Sequence, residues 1–292
     1  MPEILRFTVT SEYDGVKAGR YLRVFCKLSA RSLSVLKRTE GGITSNGKLL
    51  RSIDTVNTGD IIEINLPSEK SQILPVYGEL DIMYEDAFLL IVNKPASMPV
   101  HPVKRHQMDT LANIISYRYV GNKSDFVFRA VNRLDADTSG LVIIAKDRHT
   151  ASLMQQTEVE KHYTALCHGC VSEKGTVDEP ICLLPDSKIV RTVSPGGQRA
   201  ITHYNKIGEI NGGSIVDLVL ETGRTHQIRC HMSYIGHPLF GDDLYGGSRE
   251  FICRQALHCK SLNFTHPFSG VKIFVEAPLP SDMASLINTL NL

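Results

Sequence analysis

Apolar residues recur at helical spacing near the start of the chain, with basic residues between them. One apolar face consists of Tyr21, Leu22, Phe25 and Leu28, and a second, shorter face of Leu33 and Leu36. The dipeptide Asn46-Gly47 that follows is typical of a hairpin turn, and apolar residues alternate with polar ones between residues 55 and 66. The pattern predicts two amphipathic helices packed on a small sheet, a compact α+β domain formed by residues 1–66.

The pattern changes after a polar, proline-containing stretch. Residues 67–76 show no periodicity and predict a flexible linker. In residues 77–292 the strand and helix patterns do not alternate as regular strand–helix units. This favours an α+β domain with a mixed, largely antiparallel central sheet flanked by helices over a doubly wound sheet. The predicted strands are residues 86–95, 139–146, 161–169, 214–222 and 271–278, and the predicted helices are residues 108–119, 148–158 and 225–236.

Positive charge is concentrated in the first domain, although the whole chain has a net charge of only +1. Residues 17–38 contain seven basic residues and no acidic one, whereas residues 67–292 contain 22 basic and 24 acidic residues. A basic helical surface is expected where a protein follows a phosphate backbone, and an ordinary solvated helix face has the same composition. The residues predicted to bind RNA are Arg20, Arg23, Lys27, Arg31, Lys37 and Arg38.

Several other classes of site are not supported. No apolar run approaches the roughly 18 residues of a membrane span, and the N-terminus lacks a secretion signal, so we expect a cytoplasmic protein. Seven cysteines, an odd number in a large chain, favour reduced thiols. Cys167 and Cys170 lack a second cysteine pair, and His226 and His231 do not have the spacing of a zinc-binding helix. Glycine-rich nucleotide motifs are also missing, so we expect neither a metal nor a cofactor.

The segment NRLDADTSGLVIIAKD, residues 132–147, places an arginine and two aspartates directly before a predicted apolar strand. Residues 137–139 are good turn formers, and hydrogen bonds from their side chains to the backbone of a tight turn account for them. Asp135 differs because it lies between apolar neighbours. We therefore expect it to be partly buried, where its charge needs a partner.

The segment LETGRTHQIRCHMSYIGHPLFGDDLYG, residues 220–246, contains the best candidate for that partner. A short helix would keep Arg229 among the apolar residues Ile228 and Met232. Pairing of Arg229 with Asp135 would hold the carboxylate ionised and directed at a substrate, as a nucleophilic carboxylate requires. A purely structural salt bridge accounts for the same residues equally well.

These segments resemble the RluA-type pseudouridine synthases. Residues 132–146 are similar to the family's signature loop, usually His-Arg-Leu-Asp-x-x-Thr-Ser-Gly followed by apolar residues and Ala-Lys. Other blocks resemble the family in the same order, namely YEDAFLLIVNKPASMPVHP (84–102), EKHYTALCHG (160–169), residues 220–246 and QALHCKSLNFTHPFSG (255–270). The N-terminal domain resembles the small RNA-binding domain named after ribosomal protein S-four.

The resemblance implies the pseudouridine synthase fold and an isomerisation in which the ribose of a uridine moves from N1 to C5 of uracil. The substrate would be structured RNA, ribosomal or transfer RNA, and no cofactor is implied. Asp135 would be the nucleophile and would attack the sugar or, in an older proposal, the base. Arg229 would pair with Asp135. Tyr163 would pack on uracil and assist proton removal from C5. Arg133 would fill the gap left by the flipped nucleotide. The remaining residues expected to bind substrate are Ile228, Thr138, Arg224 and His226.

Three positions depart from the family pattern. Asn132 stands where histidine is usual, Ala136 where a basic residue is common and Ser97 where glycine is common. An amide still donates and accepts hydrogen bonds, but it does not titrate as an imidazole does. Two other functions stay open, a non-catalytic RNA-binding protein on the same fold and a carboxylate-dependent glycosidase or nucleosidase. A glycosidase or nucleosidase would leave the basic N-terminal helices without a function. We expect the chain to be a monomeric pseudouridine synthase.

Overall fold

The computed structural model describes residues 3–66, 71–120 and 126–291 of the chain. Residues 3–66 form a sheet of their own with strand order β1-β6-β3-β4, and β2 pairs with β5 beside it. The two predicted helices are present, and Tyr21 and Leu22 of the first are fully buried beneath it. The elements are β1 (Glu3–Thr8), β2 (Val16–Lys17), α1 (Ala18–Val24), α2 (Ala30–Leu36), β3 (Ile43–Ser45), β4 (Lys48–Leu49), β5 (Thr55–Val56) and β6 (Ile61–Leu66).

The rest of the chain is built on a nine-stranded sheet. Eight of its strands follow the order β11-β14-β15-β10-β16-β9-β8-β7, and the ninth strand, β17, pairs with β16. Its strands are β7 (Ile82–Glu85), β8 (Leu89–Lys94), β9 (Ser139–Ala145), β10 (Val159–His168), β11 (Lys174–Asp178), β14 (Ile201–Ile210), β15 (Gly213–Leu220), β16 (Leu257–Thr265) and β17 (Lys272–Glu276). A two-stranded sheet is formed by β12 (Ile181–Leu183) and β13 (Arg191–Val193). The helices are α3 (Leu111–Val120), α4 (Arg148–Met154), α5 (Gln227–Tyr234) and α6 (Ser281–Leu290).

The predicted α+β architecture with a mixed, largely antiparallel sheet is confirmed, since β9 and β16 run parallel and the other paired strands of the nine-stranded sheet run antiparallel. All five predicted strands and all three predicted helices of this domain are present. Every residue of β9 is buried, which explains its unbroken apolar sequence. No helix within the described ranges has the length and apolarity needed to cross a bilayer.

Gly140 allows β9 to approach β16 closely. Its φ is +114°, and a Cβ at this position would collide with the backbone of Cys259 on β16. Any other residue would separate the two strands or strain the backbone. Because the segment 132–138 enters β9 directly before this glycine, the parallel pairing fixes where that loop lies.

The two domains pack directly on each other through a group of aromatic rings that we call the seam. The ring of Phe7 on β1 lies 5.6 Å from that of Phe88 and 5.3 Å from that of Phe268, both in the second domain. Across the same boundary, His149 Nε2 donates a hydrogen bond of 2.6 Å to the carbonyl oxygen of Cys26. The first domain is therefore docked in this structure, whereas the linker composition predicted a flexible connection.

The predicted linker divides into two parts. Residues 67–70 lie outside the described residues. Further on, Asn113 Nδ2 donates a hydrogen bond of 2.7 Å to Leu74 O, and Val76 N donates one of 3.1 Å to Asn113 O. Residues 71–76 therefore run along the second domain and are attached to it.

Candidate active site

One pocket of the second domain brings together residues from three separate segments. Its lining includes Arg133, Asp135, Thr138, Tyr163, Arg224, His226, Ile228 and Arg229, which are all the residues predicted to be catalytic or to bind substrate. The signature loop contributes three of them, β10 contributes Tyr163, and the turn into α5 and its first residues contribute the rest. The pocket has a volume of ≈ 60 Å³, room for roughly two water molecules. A pyrimidine therefore enters only if side chains at the rim move, and Arg133 and Arg224 are exposed there.

Arg229 lies between two carboxylates at the base of this pocket. Its Nη1 is 3.2 Å from Asp135 Oδ2, while its Nε and Nη2 each donate a hydrogen bond of 2.7 Å to Asp242. Asp242 is 1 % exposed and Asp135 is more open. The buried, bidentate contact with Asp242 fixes the plane of the guanidinium, and the remaining nitrogen reaches the carboxylate that faces the pocket.

The charge on Arg229 is stabilised by this arrangement. Burial lowers the pKa of the guanidinium, but the hydrogen bonds that it donates to Asp242 and the charges of Asp242 and Asp135 outweigh burial, so its pKa is raised overall. The guanidinium carbon also lies 5.0 Å from the centre of the Tyr245 ring, within the range of a cation–π contact. Arg229 is therefore positively charged at neutral pH.

His226 approaches Asp135 from the other side. It occupies the left-handed region, with φ of +58°, and its Nε2 is 3.7 Å from Asp135 Oδ2. Burial lowers the pKa of His226 despite the nearby charge of Asp135, so the ring is neutral near pH 7. Tyr245 OH already accepts a hydrogen bond of 2.8 Å from Arg191 N and lies 3.0 Å from His226 Nδ1. Donation from this hydroxyl to Nδ1 leaves the ring proton on Nε2, facing Asp135.

Tyr163 forms a buried wall of the pocket. It is 6 % exposed and pairs with Leu218 on β15 and Cys259 on β16. Burial raises the pKa of its hydroxyl well above the usual value for tyrosine, and the neighbouring Cys259 and Asp135 act in the same direction. The hydroxyl is therefore protonated at neutral pH.

Two buried cations hold the backbone directly after Asp135. Lys94 is fully buried, and its Nζ donates hydrogen bonds to Pro95 O (2.7 Å), Met98 O (2.8 Å) and Ala136 O (2.9 Å). Burial lowers the pKa of Lys94 to about 7. The three carbonyl oxygens provide an acceptor for each proton of an ammonium group, so this hydrogen bonding favours the charged form of Lys94 and opposes the effect of burial.

Arg254 is the second of these cations. Its Nη1 donates a hydrogen bond of 3.0 Å to Asp137 O, and its Nε and Nη2 pair with Asp282 at the start of α6, at 2.6 and 2.8 Å. The carbonyls of two successive residues after Asp135 are thus fixed by Lys94 and Arg254. Lys94 and Arg254 thus position the Asp135 carboxylate indirectly, by fixing the backbone that follows it.

Asn132 attaches the start of the loop to β9. Its Nδ2 donates a hydrogen bond of 3.1 Å to Leu141 O, and its Oδ1 accepts one of 2.8 Å from Ile143 N. One amide thus contacts two backbone groups of the same strand. A titratable ring is therefore not needed at this position to order the loop.

The basic residues predicted in the first domain are all exposed, and they lie in different surroundings. Arg20, Arg23 and Lys37 line a groove between α1 and α2. Arg23 also lines a larger groove against the second domain, together with Lys27 and Arg31. Arg38 follows α2 and lines neither groove.

The sequence interpretation did not assign Asp242, Lys94 or Arg254 to the site. Asp242 carried the best signal, because it is an acidic residue in the mostly apolar segment PLFGDDLYG, 13 residues after Arg229. Lys94 ends the apolar run of β8 and gave no sign that its side chain turns inward. Arg254 lies between β15 and β16 in a segment without periodicity.

Comparisons with known proteins identify the family of this chain. A family model described as RNA pseudouridylate synthase matches residues 88–234, which include Asp135, Tyr163 and Arg229. The protein named uncharacterized RNA pseudouridine synthase YhcT of Bacillus subtilis (strain 168) is 45% identical over 243 residues, 80% of this chain and 80% of that protein. The ribosomal large subunit pseudouridine synthase D of Escherichia coli (strain K12) is 37% identical over 265 residues, 84% of this chain and 81% of that protein.

A solved structure is similar in fold. The structure named human RNA pseudouridylate synthase domain containing 4 superposes with a TM-score of 0.59 at 22% sequence identity. The likeness covers 72% of this chain and 92% of the human one. It thus extends over nearly the whole of that structure.

Proposed function

This chain belongs to the RNA pseudouridylate synthase family and is an RNA-modifying isomerase, and from that premise we propose that Asp135 is the nucleophile that converts a uridine of ribosomal RNA to pseudouridine. The observation that carries the proposal is the 3.2 Å contact between Asp135 Oδ2 and Arg229 Nη1 in the pocket. A guanidinium at this distance places a positive charge beside the carboxylate and orients it within the pocket, as a nucleophilic carboxylate requires.

The reaction breaks the bond from C1′ of the ribose to N1 of uracil and forms a bond from C1′ to C5. N1 gains a proton, and C5 loses one. The contacts from Arg229 and His226 both reach Oδ2 of Asp135, and no group in the described part of the chain hydrogen-bonds Oδ1. We therefore assign the attack to Oδ1, which bonds C1′ as the bond from C1′ to N1 breaks. This new bond breaks in turn when C5 bonds C1′. A closed pocket keeps uracil in place while it turns and excludes water, which would otherwise compete with it.

Tyr163 and Ile228 provide the apolar surface against which uracil turns. Because burial keeps the Tyr163 hydroxyl protonated, the ring suits packing and hydrogen-bond donation better than removal of the C5 proton. Ile228 is 4 % exposed and lies beside Arg229 at the start of α5. The sheet holds Tyr163 and the helix holds Ile228, so both walls of the pocket are fixed in place.

The residues at the rim bind the rest of the nucleotide. Arg133 is exposed at the mouth of the pocket and occupies the space that the flipped uridine vacates in its RNA stack. Arg224, which donates a hydrogen bond of 3.1 Å to Arg199 O, contacts phosphate. Thr138 and His226 complete the pocket on the two sides of Asp135.

The proposed substrate is large-subunit ribosomal RNA, because relatives 36 to 37% identical to this chain carry that substrate in their names. We further propose that residues 1–66 are an RNA-binding domain of the ribosomal-protein-S-four type, joined through residues 67–76 to a catalytic domain of residues 77–292. The two basic helices packed on one small sheet support this. A ribosomal substrate suits a cytoplasmic location.

The experiment compares ribosomal RNA from cells with and without the gene by carbodiimide-dependent primer extension, which stops at pseudouridine. We expect a stop that is lost with the gene and restored by the wild-type chain. Asp135→Asn should not restore it but should still bind RNA, whereas Asp137→Asn, in the same turn, should restore it. Restoration by Asp135→Asn would refute the nucleophile and favour a non-catalytic RNA-binding protein.

A further inference from the structure

Arg191 begins strand β13 beside the catalytic pocket. Its backbone N–H donates a hydrogen bond of 2.8 Å to Tyr245 OH, and the same hydroxyl lies 3.0 Å from His226 Nδ1. His226 in turn places its Nε2 3.7 Å from Asp135 Oδ2. A single tyrosine hydroxyl therefore separates the backbone of Arg191 from a ring that lines the pocket.

The guanidinium of Arg191 has no partner within the protein. Its Nε is buried and has no hydrogen-bond acceptor. Over residues 3–66, 71–120 and 126–291, the side chain makes neither an ion pair nor a hydrogen bond. The two buried arginines of the same domain, Arg229 and Arg254, each pair with an aspartate. A buried donor without an acceptor is unfavourable, and more so when the donor is charged. Arg191 therefore carries a charge that no group of the described chain neutralises.

The hairpin formed by β12 and β13 holds Arg191 in place. At its base, Ile181 exchanges two backbone hydrogen bonds of 2.9 Å with Gln198. Ile181 on β12 and Val193 on β13 pack in one hydrophobic cluster with Cys230 of α5. The hairpin is thus attached to the helix that carries Arg229, so Arg191 has a fixed position relative to the pocket.

A phosphate of the substrate matches this position. Burial is the main cause of the low pKa of His226, and the charge of Arg191 adds to it, so the guanidinium acts on the pocket. When C1′ of a nucleotide lies at Asp135, the phosphates are attached to the same ribose, a few bonds away. A planar guanidinium binds phosphate oxygens in pairs. A phosphate would therefore supply both the missing acceptor and the missing negative charge.

We propose that Arg191 binds a phosphate attached to the ribose of the target uridine. The proposal rests on the proposed function, because it assumes that this uridine lies at Asp135. The phosphate stays bonded to the ribose throughout the isomerisation. The contact with Arg191 therefore holds the sugar while uracil leaves C1′ through N1 and returns through C5.

The experiment measures binding of in vitro transcribed large-subunit ribosomal RNA at several salt concentrations. The full chain is compared with Arg191→Gln, which removes the charge, and Arg191→Lys, which keeps it. Lys174→Gln is the matched control, since it removes one charge from the exposed end of edge strand β11. The melting temperatures of all four chains show whether a substitution disturbs the fold.

One phosphate contact contributes about 0.7 to 0.9 to the slope of log affinity against log salt. We expect Arg191→Gln to reduce the slope by about that amount and to lower the affinity about 10-fold. Arg191→Lys should keep the slope, and Lys174→Gln should keep both slope and affinity. Because the guanidinium has no partner in the described chain, Arg191→Gln should not lower the melting temperature.

Equal slopes for Arg191→Gln and Lys174→Gln would overturn the proposal. A lower affinity at an unchanged slope would also overturn it, since that result indicates a contact with an uncharged group. A lower melting temperature of Arg191→Gln would show a structural role and would do the same. If the wild-type chain forms no pseudouridine, the proposed function fails. If it forms pseudouridine and the slopes are equal, only the role of Arg191 fails.

Discussion

Asp242 holds Arg229 through two hydrogen bonds of 2.7 Å and leaves its third nitrogen, Nη1, directed at Asp135. Two carboxylates and one guanidinium thus form one cluster with a formal net charge of −1, buried at Asp242 and open to the pocket at Asp135. Arg229 could not keep this orientation through Asp135 alone, because that contact uses one nitrogen and is longer. The pair with Asp242 is therefore the support on which the proposed nucleophile depends.

Replacing Asp242 with asparagine should lower turnover strongly and leave RNA binding nearly unchanged. The amide supplies only one acceptor oxygen, so the guanidinium tilts and the Asp135 carboxylate moves with it. A displacement of this kind costs about 100-fold in rate, and breaking a buried ion pair costs about 3 to 5 kcal/mol of stability. Tritium release from RNA labelled at C5 of uracil and thermal unfolding measure the two effects.

The neighbouring Asp243 provides the matched control. It is exposed and pairs with Arg249 at 2.8 Å on the surface. Asp243→Asn should leave both turnover and melting temperature close to the wild-type values. Wild-type turnover in Asp242→Asn would show that Arg229 does not need this support.

Replacing Lys94 with methionine should destabilise the chain and slow turnover. The change keeps most of the volume but removes the donor for three partly buried carbonyl oxygens, one of them on Ala136 next to Asp135. Each buried acceptor left without a donor costs about 1 to 3 kcal/mol. Urea unfolding and the tritium-release rate measure the loss.

Lys260 serves as the control for this change. It lies on β16, is partly exposed and pairs with Glu276 at 3.2 Å. Lys260→Met should change unfolding and turnover little. Equal effects of the two substitutions would show that the buried hydrogen bonds of Lys94 contribute nothing specific to the loop.

Local patterns predicted the elements best where burial is uniform. The unbroken apolar run of β9 and the alternation of β15 gave strands at the right places. The sequence interpretation missed β14, ITHYNKIGEI, whose charged and polar residues hide its alternation because the strand lies near the edge of the sheet. It also missed the parallel pairing of β9 with β16, because Ser139 and His258 are 119 residues apart and nothing local specifies their register.

The site was predictable where a partly buried charge required a partner of opposite charge. An aspartate between apolar neighbours needed a partner, and this led to Arg229 although the two are 94 residues apart. Asp242 was missed because Arg229 already had a predicted partner, so nothing in the sequence indicated a second acidic one. Docking of the domains was missed for a different reason, since Phe7, Phe88 and Phe268 lie in three separate segments and linker composition says nothing about tertiary contacts.

Replacing Phe268 with alanine should loosen the first domain. The ring is 9 % exposed and lies 4.3 Å from Phe88 and 5.3 Å from Phe7, measured between ring centres. Truncating a core phenylalanine costs about 3 kcal/mol, and here much of the lost contact joins the two domains. We expect faster amide exchange throughout residues 3–66 and a smaller change in the nine-stranded sheet.

Phe274 on β17 is the matched control, since it is 65 % exposed. Phe274→Ala should leave amide exchange in the first domain unchanged. If Phe268→Ala accelerates exchange equally in both domains, the ring supports the second domain rather than the seam. If it accelerates exchange in neither, the packing at the seam adds no stability.

His258 should make the chain sensitive to acid below pH 6.5. The ring is buried behind the catalytic loop, with Nδ1 2.9 Å from Ser139 Oγ, and burial lowers its pKa from 6.5 to about 4. Since the pKa is lower in the folded than in the unfolded chain, the unfolded chain takes up a proton first, and stability present above pH 6.5 is lost as the pH falls towards 4. At pH 4.5 this loss is roughly 2.5 kcal/mol relative to pH 7. His258→Gln retains a hydrogen-bonding side chain that does not titrate. Urea unfolding at pH 7 and pH 4.5 measures the free energy of unfolding of both chains, and the variant should lose roughly 2.5 kcal/mol less than the wild type. An equal loss in both chains would show that His258 is not the group responsible.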